Sequence, residues 1–323
     1  MDDARRDAFR LTILCGGFGG ARLAMGLQAA GIEGHACFVT NVGDDLVVRG
    51  ALVCPDTDAV LYALAGLFDD ERGWGIRGDT FPPPGDGEHA WFNVGRQDRL
   101  HHLRRAELMG RGASLSSATR QLREELGVRS EVLPVTDALV RTRIRVNDAW
   151  LAFQEWLVRD HAQPTPHEVA YAGAAAAVPA PGVLEAIAAA DVVVLASSSP
   201  VASIDPILAV PGVRQAVADR SATTVAVSPV ASRLPLRTER DVRRSSARER
   251  LLEAVGVPHT AVAVAERYVG LADVFVLDPA DRSDVDDVEA LGFEVLVHPV
   301  AGTSANDRRD LVDALLALTR RRP

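Results

Sequence analysis

Short, unbroken apolar runs alternate along this chain with longer stretches whose apolar residues recur at helical spacing. The runs are Leu11-Thr-Ile-Leu-Cys15, Ala36-Cys-Phe-Val-Thr40, Val192-Val-Val-Leu-Ala196, Thr223-Thr-Val-Ala-Val227, Val274-Phe-Val-Leu-Asp278 and Phe293-Glu-Val-Leu-Val-His298. Runs this short with no polar face fit strands covered on both sides, as in a parallel sheet. Residues Ala59–Leu67 are too densely apolar for a surface helix, whereas Ala113–Leu126 reads as an amphipathic helix ending at Gly127. Helical spacing returns in Pro181–Asp191 and Ala305–Arg320. The pattern predicts an α/β protein with a mostly parallel sheet.

The middle of the chain breaks this grammar. Pro82-Pro-Pro-Gly-Asp-Gly87 predicts a rigid connector, and Val132–Val135, Arg141–Val146 and Trp150–Phe153 have the alternation of antiparallel strands. We therefore expect one domain over residues 1–323 with an inserted antiparallel and helical subregion at about 82–172.

Charge and composition narrow the partners. A net charge of −9 argues against a duplex nucleic-acid binder. No apolar run reaches the roughly eighteen residues that span a bilayer, and Met1-Asp-Asp-Ala-Arg-Arg-Asp7 does not open a cleavable signal, so a cytoplasmic protein without membrane partners is expected. Cys15, Cys37 and Cys54 lack metal-type spacing and read as reduced core residues. Lysine is absent, which excludes Schiff-base chemistry and leaves arginine for phosphate contacts.

Candidate chemistry gathers where apolar runs end. Gly16, Gly17, Gly19 and Gly20 follow the first run and open a helix, so free backbone N–H groups can meet an anion there. The spacing satisfies neither the dinucleotide fingerprint nor the P-loop, and a merely tight turn is the alternative. The second run leads into Asn41-Val-Gly-Asp44-Asp45, and Cys54-Pro-Asp56-Thr-Asp58 follows closely. Asp56 or Asp58 could cap a helix, but four aspartates so close together suit a hard divalent cation or hydrogen bonds to a polyol better. Trp74 and Phe81 lie in a glycine-rich loop, where they would either stack on a planar ring or anchor the loop. His101, His102, Arg104 and Arg105 read as a helix surface with one residue near the site, and Arg233–Arg250 as a solvated helix face. Ser197–Ser203 offers hydroxyls at another helix start, a second candidate phosphate cradle.

Taken in order, Gly-Gly-Phe-Gly-Gly-Ala-Arg-Leu, Asn-Val-Gly-Asp-Asp, Cys-Pro-Asp-Thr-Asp-Ala-Val-Leu-Tyr, Arg-Gly-Trp-Gly-Ile-Arg-Gly-Asp-Thr-Phe, Phe-Gln-Glu-Trp, Pro-Gly-Val-Leu-Glu-Ala-Ile, Ser-Ile-Asp-Pro-Ile-Leu-Ala-Val-Pro-Gly and Val-Ser-Pro resemble the 2-phospho-L-lactate transferase family of deazaflavin coenzyme F420 biosynthesis. The resemblance runs from about Leu11 to Asp278 and is strongest to the actinobacterial branch. It implies a Rossmann-like three-layer α/β/α fold, a homodimer, Mg2+ dependence and two substrates. These are the deazaflavin Fo and a guanosine-diphosphate-activated phospho-acid, lactyl or enolpyruvyl. The ribityl hydroxyl of Fo would attack the phosphorus next to the acid and release GMP.

Carried over by position, the resemblance puts Asp58 and Asn93 against Fo, and Asp44 and Asp45 at the metal and phosphates, with Asp58 alternatively a metal ligand. Gly16, Gly17, Gly19 and Gly20 match the phosphate loop, while Ser199, Ser203 and Ser228 match the guanosine side. Trp74 and Arg77 match more weakly. The chain departs from the family pattern at Gly95-Arg-Gln-Asp98, Ser197-Ser-Ser-Pro200, Leu234–Arg240 and Val300-Ala-Gly302, mostly on the donor side. A non-catalytic nucleotide-sugar-binding relative resembling the gluconeogenesis factor group, or a paralogue with an altered donor, is the alternative.

Overall fold

The computed structural model of the protein describes residues 9–83, 87, 89–302 and 304–318. The charged start, part of the proline-rich connector and the last five residues of the chain lie outside them. The strands are β1 (Leu11–Cys15), β2 (Ala36–Thr40), β3 (Leu46–Val48), β4 (Ala51–Val53), β5 (Glu131–Pro134), β6 (Arg141–Val146), β7 (Ala149–Ala152), β8 (Glu168–Ala172), β9 (Val192–Leu195), β10 (Thr223–Val227), β11 (Val274–Leu277) and β12 (Glu294–Val297).

Seven of them form one parallel sheet in the order β12-β11-β10-β9-β1-β2-β5. All six expected runs are in it. Their apolarity on both faces has a direct cause, since successive side chains enter different cores. Ile13, Phe38 and Val194 share one register row and one core, while Leu14, Val39 and Leu195 share the next row and the opposite core. Each such side chain contributes roughly 1.5–3 kcal/mol by burial. The helices Gly17–Ala30, Pro55–Leu64 and Ala305–Leu318 cover one face; Val183–Ala188, Val213–Asp219, Ala261–Arg267 and Val285–Ala290 cover the other. The fold is a Rossmann-like three-layer α/β/α sandwich.

Two strand readings need correction. Residues 132–135 were expected in the antiparallel unit, but β5 pairs in parallel with β2, Phe38 beside Val132, because Val132, Leu133 and Pro134 are all buried. The antiparallel sheet is instead β7-β6-β8, which adds Glu168–Ala172 to the expected pair. The hairpin β3–β4 was not foreseen at all.

This order locates the site. The chain leaves β1 toward β2 on one side and returns to β9 on the other, so the loops after β1 and β9 diverge at their carboxyl ends. Open α/β sheets bind ligands in the crevice so formed.

Candidate functional site

A cavity of about 800 Å³ opens at that crevice, lined by Gly16, Gly17 and Gly19 after β1, Asp44 after β2 and Ser197, Ser198, Ser199 and Ser203 after β9. The two loops are tied together: the Gly16 N–H donates to Ser198 Oγ at 3.1 Å, and that hydroxyl donates to the Gly16 carbonyl at 2.9 Å. The glycines are needed for this closeness. A Cβ at Gly16 would overlap Asp56 Oδ2 and Ser203 Oγ, and one at Gly19 would overlap the Ser197 carbonyl, while Gly17 has φ +31°. Asp56 thus stands directly against the start of the Gly17–Ala30 helix.

The aspartates divide into two groups. Asp44 and Asp56 are buried, line the cavity and share one amide: Asn41 Nδ2 lies 2.9 Å from Asp56 Oδ2 and 3.3 Å from Asp44 Oδ1. Gln154 Nε2 donates to the other oxygen of Asp44 at 3.0 Å. Among the described residues neither carboxylate has a cationic partner. Burial, then the charges of Asp56 and Asp45, raises Asp44 well above the carboxylate range, and burial lifts Asp56 to about 7 against bonds from Asn41 and Gly17.

Asp58 is the opposite case. Burial alone would raise it, but Arg105 and His102 outweigh that and hold it below the usual range. Arg105, itself fully buried, takes Asp58 with both terminal nitrogens, and His102 Nε2 sits 3.2 Å from Asp58 and 3.1 Å from Asp98. Those two aspartates lift His102 to about 9 despite its burial. Tyr62 donates to Asp98 at 2.7 Å, closing the network. Neither Asp56 nor Asp58 is the helix cap: Cys54 holds that place, and its N–H donates to Asp58 at 3.2 Å. The expected surface helix therefore buries His102 and Arg105 on its inner side, a correction whose cause is the Asp58 charge.

The remaining expected residues separate. Asn93 and Trp74 line the cavity with Ser199 and Ser203. Trp74 and Phe81 meet edge to face at 5.5 Å, and Arg72 lies over both rings at 5.0 and 4.5 Å, so this pair both anchors the loop and leaves Trp74 exposed at the cavity. Asp45, Gly20, Arg77 and Ser228 are not among the lining residues. Asp45 turns to the Cys54 thiol and is raised to about 8 by burial; Arg77 is exposed and reaches the Phe68 carbonyl at 3.3 Å; Ser228 donates to the Val230 carbonyl at 2.7 Å. Asp79, within the matched Gly-Asp-Thr-Phe block, caps the Arg96–Gly110 helix through the N–H groups of Gln97 and Asp98.

Sequence reasoning missed Asn41, Gln154 and the arginines of the Glu239–Ala254 helix as site residues. Asn41 and Gln154 did stand inside matched blocks, which was the available signal. The arginine segment is corrected as well, since Arg240, Arg243, Arg244 and Arg248 line the cavity and are not simply a solvated face. Among the described residues no three His, Cys, Asp or Glu side chains converge as a metal cage, and no helix is long and apolar enough to cross a membrane.

Comparison with known proteins agrees on one lineage. The profile of the family described as 2-phospho-L-lactate transferase CofD matches residues 11–300. The phosphoenolpyruvate transferase of Streptomyces griseus is 38% identical over 96% of each chain. That of Mycolicibacterium smegmatis is 34% identical over 94% of this chain and 98% of its own. Among solved structures, protein BH3568 from Bacillus halodurans superposes with a TM-score of 0.59 at 17% identity, covering 95% of this chain and 99% of that one; this likeness concerns the fold alone.

Proposed function

Because the chain belongs to the 2-phospho-L-lactate transferase CofD family and is a transferase of the phospho-transfer kind, we propose that it joins a phospho-acid, carried on guanosine diphosphate, to the ribityl hydroxyl of Fo in F420 biosynthesis. The observation that carries this reading is the Asp44–Asp56 pair, two buried carboxylates at the crevice of the sheet with no counter-charge among the described residues.

The pair fits Mg2+. It supplies two hard oxygen donors oriented by Asn41 and Gln154, and Mg2+ commonly takes one or two carboxylates and completes its shell with water and substrate phosphates. Two carboxylates without a third protein ligand suit that sharing better than a closed protein cage. Bound there, Mg2+ would neutralise charge on the diphosphate.

The other walls divide the substrates. Asp58, kept ionised by Arg105 and His102, faces the cavity as an acceptor for hydroxyls of the ribityl chain. Trp74 and Phe92 offer flat apolar surface to the deazaflavin ring, with Asn93 beside them. Ser199 and Ser203, on the loop after β9, are left for the nucleotide. In the transfer, the Fo hydroxyl oxygen bonds to the phosphorus next to the acid and gives up its proton to solvent, the bond from that phosphorus to the oxygen of GMP breaks, and GMP departs with that electron pair. Such chemistry relies on positioning and charge neutralisation more than on a strong base.

The test is direct. Purified protein with Fo, Mg2+ and enzymatically prepared lactyl or enolpyruvyl donor should yield an Fo phosphodiester and an equal amount of GMP, read by mass spectrometry. Fo binding without either product would overturn the transfer and favour a binding protein of the same fold.

A further inference from the structure

One wall of the cavity has no part in that transfer. The Glu239–Ala254 helix forms it and is fastened near both ends to distant loops. Arg240 donates to the Asp70 carbonyl at 2.7 Å and Arg244 to the Gly73 carbonyl at 2.9 Å, while Arg250 near the other end donates to the Ala162 carbonyl at 2.9 Å. Arg244 and Arg248 line the cavity one helical turn apart.

Their charges are unmatched. Glu239 is taken by Arg243 at 2.8 Å, and Asp241 lies 3.8 Å from Arg240. Among the described residues no carboxylate pairs with Arg244 or Arg248; Arg244 Nη1 and Arg248 Nε are buried without any hydrogen-bond partner. Positive charge also accumulates around Arg244, because the Phe18 ring carries Arg22 at 4.0 Å, Arg244 at 3.7 Å and Arg240 at 5.3 Å. Burial, then the nearby Arg240, Arg22 and Arg248, disfavours the charged form of Arg244, and burial alone disfavours that of Arg248. A guanidinium does not release its proton near neutral pH, so the cost persists until an anion arrives.

We propose that Arg244 and Arg248 form the oxyanion subsite that grips the diphosphate of the nucleotide donor, resting on the reading of this cavity as the transfer site. Two unmatched guanidinium groups call for at least two negative charges. A diphosphate supplies them, whereas a single carboxylate would leave one guanidinium bare. The glycine loop competes less for that anion, because the Gly17 N–H already bonds the Asp56 carboxylate. Arginine supplies the planar, multi-donor contact that phosphate oxygens accept best.

The experiment measures GDP, inorganic pyrophosphate and guanosine binding by calorimetry, with Mg2+ present, to the wild type, Arg244→Gln, Arg248→Gln and Arg248→Lys. We expect GDP and pyrophosphate affinity to fall about tenfold or more in each Gln variant, with partial recovery in Arg248→Lys and guanosine binding unchanged. Arg248→Gln should melt no lower than the wild type, because it removes an unneutralised buried charge, whereas Arg244→Gln also gives up the Gly73 bond and the Phe18 contact. The proposal is overturned if the wild type does not bind pyrophosphate, or if the Gln variants bind GDP and pyrophosphate like the wild type. It is equally overturned if they keep GDP affinity and lose only the complete donor, since the anion held would then be the acid's carboxylate. Loss of pyrophosphate binding in the variants, in a wild type that makes no phosphodiester, would uphold this subsite and refute the transfer reading instead.

Discussion

Two sets of buried aspartates face the same cavity and treat their charge in opposite ways. Asp58 is neutralised from within, by an arginine that is itself fully buried and by a histidine shared with Asp98. Asp44 and Asp56 receive only neutral amides and remain unneutralised. The contrast separates shape from chemistry. A charge answered inside the protein fixes a helix and presents a rigid acceptor, whereas a charge left open is costly until an outside cation arrives.

The largest break should come on the neutralised side. Arg105→Ala leaves Asp58 buried with two of its four polar contacts gone and is expected to lower unfolding free energy by about 3–5 kcal/mol in urea titrations. A loss under 1 kcal/mol would mean that the network is not holding the Arg96–Gly110 helix in place.

The open side should show itself through pH. Asp56 and Asp45, raised to about 7 and about 8, hold protons in the folded protein that the unfolded chain gives up near 3.8. Metal-free protein should therefore lose stability as pH rises from about 4 to about 8, and Asp56→Asn should remove part of that slope. His102, raised to about 9, adds a later loss as pH passes that value, because its contribution is complete only below 6.5. Asp58 acts in the reverse sense, its contribution disappearing only as pH falls below the ordinary carboxylate range. Melting midpoints of metal-free protein that stay flat between pH 5 and 8 would contradict this division.

How much of this was legible beforehand follows from the same physics. Parallel strands covered on both sides leave unbroken apolar runs, so the sheet was readable; β3 and β4 have only three residues each, and β8 has no fully buried residue, so they left no such trace. The acids were readable because they cluster in sequence. Their partners were not, since Arg105 lies 47 residues from Asp58 and Gln154 lies 110 from Asp44. Only the folded chain decides which aspartate meets an arginine. The arginines of the Glu239–Ala254 helix were obscured in the same way, because a charged segment reads as solvated until a cavity is found beneath it.

The smallest effect is expected at the aromatic wall. Trp74→Ala should weaken Fo binding by about tenfold or less, read from deazaflavin fluorescence, because one ring contact contributes roughly 0.5–1.5 kcal/mol beyond its area. Unchanged affinity would leave Trp74 with its anchoring role alone.

That Asp44 and Asp56, which have no cationic partner among the described residues, take a divalent cation can be read with Mn2+ as a spectroscopic stand-in for Mg2+. Titration followed by electron paramagnetic resonance, with GDP present, should give one site in the wild type, weakened about tenfold or more in Asp44→Asn and Asp56→Asn, both still folded. Wild-type Mn2+ affinity in both variants, or no site in the wild type, would contradict the account.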